Sequence, residues 1–152
     1  MGTWGPDSFQ NDWALDWLGD LRERGDTSFV RATLSQVVEH GGTKHSPPSF
    51  LERLRGRRHH TDWLNASVAA KSIAAAEIVA AWRGHPSSNL PDSVITWVQQ
   101  YSSSFQSDLV ALAQKATAIV KTNSELRDLR EQSDADGWQN AVEDLERRLT
   151  EK

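Results

Sequence analysis

The stretch Ala66 to Arg83, ASVAAKSIAAAEIVAAWR, restricts what this chain can fold into more than any other. Alanine is the strongest helix former, and the polar residues Ser67, Lys71, Ser72 and Glu77 are spread around the helix rather than gathered on one side. That distribution predicts a central helix packed on most of its circumference. Asn65 stands where a side-chain oxygen can satisfy the first free amides, and Gly84 followed by Pro86 is a C-terminal stop. Small side chains let neighbouring helices approach closely. Glu77 is the exception: at about 100° per residue it shares a stripe with Ala66, Ala70, Ile73, Ala80 and Ala81. A carboxylate there must be paired or hydrogen-bonded, or must carry a raised pKa, because burying it bare costs several kcal/mol.

A chain of 152 residues has room for one proper core, so a single helical domain over 1–152 is expected. The absence of cysteine removes disulfides, thiol nucleophiles and cysteine-bound metals from consideration and points to a cytoplasmic protein. No apolar run reaches the roughly 18 residues that span a bilayer, and the first residues lack the basic and apolar regions of a signal peptide. Membrane attachment is not expected. The seven tryptophans read as core material, since each ring buries about 150–250 Å². The net charge of −4 is unevenly placed: residues 1–26 and 125–152 are acidic, whereas 43–62 is basic. Acidic ends repel nucleic acid and suit a basic partner.

Taken in order, the chain opens with an irregular arm, residues 2–10, which carries Trp4 and Phe9. A first helix runs to about Arg24, capped by Asn11 or Asp12 and stopped by Gly25, with Trp13, Trp17, Leu18 and Leu21 as its apolar stripe. A second runs from about Ser28 to Glu39 and buries Phe29, Leu34, Val37 and Val38. Residues 43–62 read as an inserted, mobile basic loop with a double proline and the run Arg53, Arg55, Arg57 and Arg58. After the central helix, further helices are expected from Pro91 to Gln100, Asp108 to Lys121 and Glu125 to Gln132, the last capped by Ser124. A final helix carries Trp138, Ala141, Val142, Leu145 and Leu149 at helical spacing. No segment alternates as a strand would. The expected fold is all-α, a single compact bundle of six to seven short helices around the central one.

The segments GTWGPDSFQNDWALDWLGDL, IAAAEIVAAWRG and LPDSVITWV resemble the bacterial family called domain of unknown function 4259. The resemblance covers nearly the whole chain except 43–62, where the family has a shorter, acidic connection. It implies that Gly2, Trp4, Gly5, Asn11, Asp12, Asp16, Trp17 and Glu77 belong to a shared pattern. It implies an organisation and no activity.

Two constellations could carry chemistry. Asp12, Asp16 and Glu77, with Asn11 beside them, could converge from two helices as a magnesium or manganese site of a metal-assisted hydrolase. Equally, Asp12 can serve a helix start, Asp16 a solvated face, and Glu77 a structural clamp that accepts hydrogen bonds from the arm around Trp4. The arginines of 43–62 could contact phosphates, yet no nucleic-acid-binding motif surrounds them, and a solvated loop is the simpler reading. Absent altogether are a phosphate-binding glycine loop, H-E-x-x-H and G-x-S-x-G, which weighs against an enzyme. No catalytic residue, metal or cofactor is therefore assigned. The expectation is a non-catalytic interaction protein of immunity type, monomeric or weakly dimeric. Its contact face would be Asp12, Asp16, Asp20 and Glu23, and its partner basic.

Overall fold

The computed structural model describes residues 7–41, 64–122, 124–133 and 135–151. Seven α-helices and no β-strand occur among them: α1 (Asp12–Arg24), α2 (Ser28–Gly41), α3 (Ala66–Trp82), α4 (Asp92–Gln100), α5 (Asp108–Thr122), α6 (Glu125–Ser133) and α7 (Ala135–Thr150). A 3₁₀ turn, Ser102–Ser104, links α4 to α5. The loop 43–62, Trp4 and the arginines at 53, 55, 57 and 58 lie outside the described residues.

The alanine-rich helix is the axle of the bundle. α3 packs against each of the other six helices, and every residue from Ser72 to Ala80 is buried. Nine consecutive residues make two and a half turns, so no face of this segment meets solvent. Alanine makes that possible, because a methyl group keeps the helix thin enough to be surrounded. Both ends are built as their residues dictate. The Asn65 side chain accepts a hydrogen bond from the Ser67 amide at 2.7 Å. At the other end Gly84 takes φ 101°, and the amides of Gly84 and His85 close onto the carbonyls of Ala81 and Ala80 at 3.0 and 2.9 Å. That pair of bonds is a Schellman closure, and it requires a left-handed residue at the glycine.

The surrounding helices present apolar faces that are rotated in places from the expected ones. In α1, Ala14, Trp17, Leu18 and Leu21 are buried, while Trp13 is half-buried. In α2 the core positions are Val30, Leu34 and Val37, with Phe29 and Val38 only half-buried. The reason is visible in Trp17, which stacks on Phe29 with ring centroids 5.6 Å apart and donates from Nε1 to the Thr33 hydroxyl at 2.8 Å. Phe29 thus covers α1 from the side and leaves the inward position to Val30. The fourth helix starts at Asp92 with Pro91 as its cap, one residue later than expected. Beyond it Trp97 lies against Trp82 at 5.1 Å and against Tyr101 at 4.7 Å, closing one end of the core.

Short devices fix the remaining joints. Gly25 ends α1 with φ 57°, and a Cβ there would stand 3.0 Å from the Tyr101 hydroxyl, so both conformation and space call for glycine. Ser124 caps α6 by accepting from the Arg127 amide at 3.1 Å, and the Glu125 amide donates to the Leu64 carbonyl at 2.9 Å, tying the entry of α3 to that of α6.

Candidate functional site

Among the described residues, three parts of the chain meet at Glu77: the segment before α1, the axle α3, and the last turns of α7. Glu77 is 3% exposed and Arg148 6%. The guanidinium of Arg148 grips the carboxylate in a two-pronged contact, Nη1 to Oε2 at 2.8 Å and Nη2 to Oε1 at 2.9 Å. The Ser8 hydroxyl donates to the same Oε1 at 2.7 Å. Arg148 is itself held from the other side, donating from Nε to Asp144 at 2.7 Å and from Nη1 to the His85 carbonyl at 3.3 Å. Every charge in the cluster thus has an opposite charge or a dipole against it, the condition under which a buried ion pair is tolerated. Burial opposes the charge on Arg148, but hydrogen bonds and charge from Glu77, then Asp144, outweigh it and raise its pKa.

The local sequence explains the geometry. Asp7 to Gln10 forms a turn, with the Gln10 amide donating to the Asp7 carbonyl at 3.0 Å and the Gln10 side chain accepting from the Asp7 amide at 3.0 Å. Asn11 then caps α1, its Oδ1 accepting from the Ala14 amide at 2.8 Å. These bonds aim Ser8 at α3 while Phe9 enters the core. The end of α7 is fastened separately: the Leu149 carbonyl accepts from Arg83 and from Gln114 at 3.1 Å. His85 Nδ1 stands 3.3 Å from Glu151.

The expected candidates sort clearly. Asn11 is a buried cap, and Glu77 is a buried acid held by Arg148 and Ser8; the arm around Trp4, from which its partners were expected, lies outside the described residues. Asp12, Asp16, Asp20 and Glu23 are exposed on α1. Among the described residues no group of three or more His, Cys, Asp or Glu side chains is placed to hold a metal ion. The cavity beside Glu77, bordered by Asp7, Ser8, Asn89, Asp144 and Arg148, measures about 30 Å³, room for a water and not for a substrate. Arg148 is the residue that sequence reasoning missed. Its signal was present: Trp138, Ala141, Leu145 and Arg148 recur at spacings of three and four, which puts the arginine on the buried stripe of α7.

A larger opening lies elsewhere. Between α1 and α4 runs a groove of about 580 Å³, bordered by Gly19, Arg22 and Glu23 on one side and by Trp97 and Tyr101 on the other.

An all-α bundle threaded on a buried, small-residue helix and clasped by an internal Glu–Arg pair is the class that this fold and site define. The chain belongs to the family described as Domain of unknown function (DUF4259), whose model matches residues 2–46 and 46–141. The two matched segments meet inside the basic stretch 43–62. No curated protein matches the chain, and no solved structure does. Among the described residues no helix is long and apolar enough to cross a membrane.

Proposed function

We propose that this protein is a non-catalytic interaction module of the bacterial cytoplasm, of immunity type, which binds a basic protein partner through the acidic face of α1. The observation that carries this reading is the contrast between its two sets of carboxylates. Glu77, the acid best placed for chemistry, has both oxygens engaged by Arg148 and Ser8 and no room for a substrate beside it. Asp12, Asp16, Asp20 and Glu23 are exposed, and none forms a salt bridge among the described residues. Unpaired like charges on one helix face destabilise that helix slightly, and an oppositely charged partner relieves the repulsion.

The test is photo-crosslinking in the source cells from positions 16 and 20, followed by affinity measurement with whatever protein is captured. A basic partner is expected, with affinity that falls as salt rises and falls again when Asp12, Asp16 and Asp20 are changed together to Asn. A partner whose affinity ignores both changes would defeat the proposal.

A further inference from the structure

We infer that Glu77, Ser8 and the His85 carbonyl form a guanidinium-binding site, that Arg148 is its tethered occupant, and that the site takes a guanidinium from outside the chain once Arg148 is withdrawn. The inference is independent of the acidic face of α1.

The first argument is which element supplies which group. Arg148 stands on α7, yet most of what surrounds its head comes from elsewhere. The Glu77 carboxylate belongs to α3, and its Oε2 and Oε1 accept from Nη1 and Nη2 at 2.8 and 2.9 Å. The His85 carbonyl, beyond the end of α3, accepts from Nη1 at 3.3 Å. The Ser8 hydroxyl, before α1, donates to Oε1 at 2.7 Å and so fixes the tilt of the carboxylate. From its own helix the arginine takes Asp144, which accepts from Nε at 2.7 Å. Two parallel N–H···O bonds to one carboxylate are how proteins recognise a guanidinium as a planar fork, and an ammonium cannot reproduce them.

The second argument is that the site is held in shape without its occupant. Ser8 sits in a turn closed by the Asp7 amide on the Gln10 side chain at 3.0 Å and by the Asn11 cap at 2.8 Å. His85 is fixed by its amide, which donates to the Ala80 carbonyl at 2.9 Å. Glu77 lies inside the buried run of the axle. None of these supports involves α7. Groups positioned in advance lose little freedom when a ligand arrives, which favours binding.

The third argument is space. Arg148 borders the cavity of about 30 Å³ beside Glu77, whose other borders include Asp7, Ser8 and the exposed Asn89. Removing the arginine side chain joins its own volume to that cavity and opens a place for the group that left. Helix α7 keeps its seat in that event. Leu145 and Leu149 are fully buried, and the Leu149 carbonyl accepts from Arg83 and Gln114.

The experiment is a melting-temperature titration of the full chain carrying Arg148→Ala, with methylguanidinium chloride as the probe and methylammonium chloride at equal concentration as the control. At about ten times its Kd, methylguanidinium is expected to raise the melting temperature of Arg148→Ala by about 3–6 °C relative to its effect on the wild type. The Glu77→Gln, Arg148→Ala double variant is expected not to respond. Arg148→Lys, which keeps a positive charge without the fork, is expected to melt below the wild type. If Arg148→Ala is unfolded in buffer, the same titration reads recovery of helix by circular dichroism, and no recovery overturns the inference. It is also overturned if methylammonium acts as well as methylguanidinium, if the double variant responds equally, or if Arg148→Lys is as stable as the wild type.

Discussion

Glu77 shows how one residue can be legible in its constraint and opaque in its solution. An acid inside a run of alanines had to find a partner, and that much followed from burial alone. Which partner could not be read, because Arg148 stands 71 positions away and nothing local links the two. The spacing of α7 put Arg148 on a buried stripe, but the apolar residues around it masked the signal. The cost of disturbing the pair is asymmetric. Glu77→Gln leaves a buried guanidinium that, among the described residues, has Asp144 and the His85 carbonyl to offset its charge, and should cost about 3–5 kcal/mol in chemical unfolding. An unchanged midpoint would contradict the lock. Ser8→Ala removes a single bond to a charged oxygen and should cost less, about 1.5–3 kcal/mol, with the helices otherwise intact by circular dichroism.

Among the elements, those governed by local chemistry were readable and those governed by packing were less so. The caps Asn11, Asn65 and Ser124 and the stops Gly25 and Gly84 act through hydrogen bonds to their own helix ends, and they stand where the sequence put them. The rotation of α2 depends on how Phe29 meets Trp17, a contact between elements that helical periodicity does not encode. In α3 the alanines set the diameter of the axle. Ala75→Leu, at a position with no exposure, should destabilise by about 1–3 kcal/mol or more through overpacking, seen as a lower thermal midpoint. At the end of α7, burial pushes the Asp144 carboxyl up, but hydrogen bonds from Arg147 and Arg148 outweigh it and hold its pKa below 3.8. Because the folded value is depressed, its contribution is present above the unfolded pKa and is lost as pH falls through the folded one. The stability difference between wild type and Asp144→Asn should therefore be constant near neutral pH and close as the solution is taken below about pH 4. A difference that widened in acid would contradict the pairing.

At the scale of the whole molecule, the account makes the Glu77–Arg148 pair the clasp that joins the segment before α1, the axle and the last helix. The all-α class and the central place of α3 were legible because composition and periodicity act over long stretches, whereas the clasp and the α1–α4 groove arise only when distant segments meet. If the pair is a clasp, its two members are energetically one unit. The most direct measurement is a double-mutant cycle on Glu77→Gln and Arg148→Met, followed by urea unfolding. The account predicts that the two losses are strongly non-additive, with a coupling of about 2–3 kcal/mol, because the second change removes a charge that the first has already stranded. Losses that simply add, within about 0.5 kcal/mol, would mean that Glu77 and Arg148 act separately and that the clasp does not hold the molecule together.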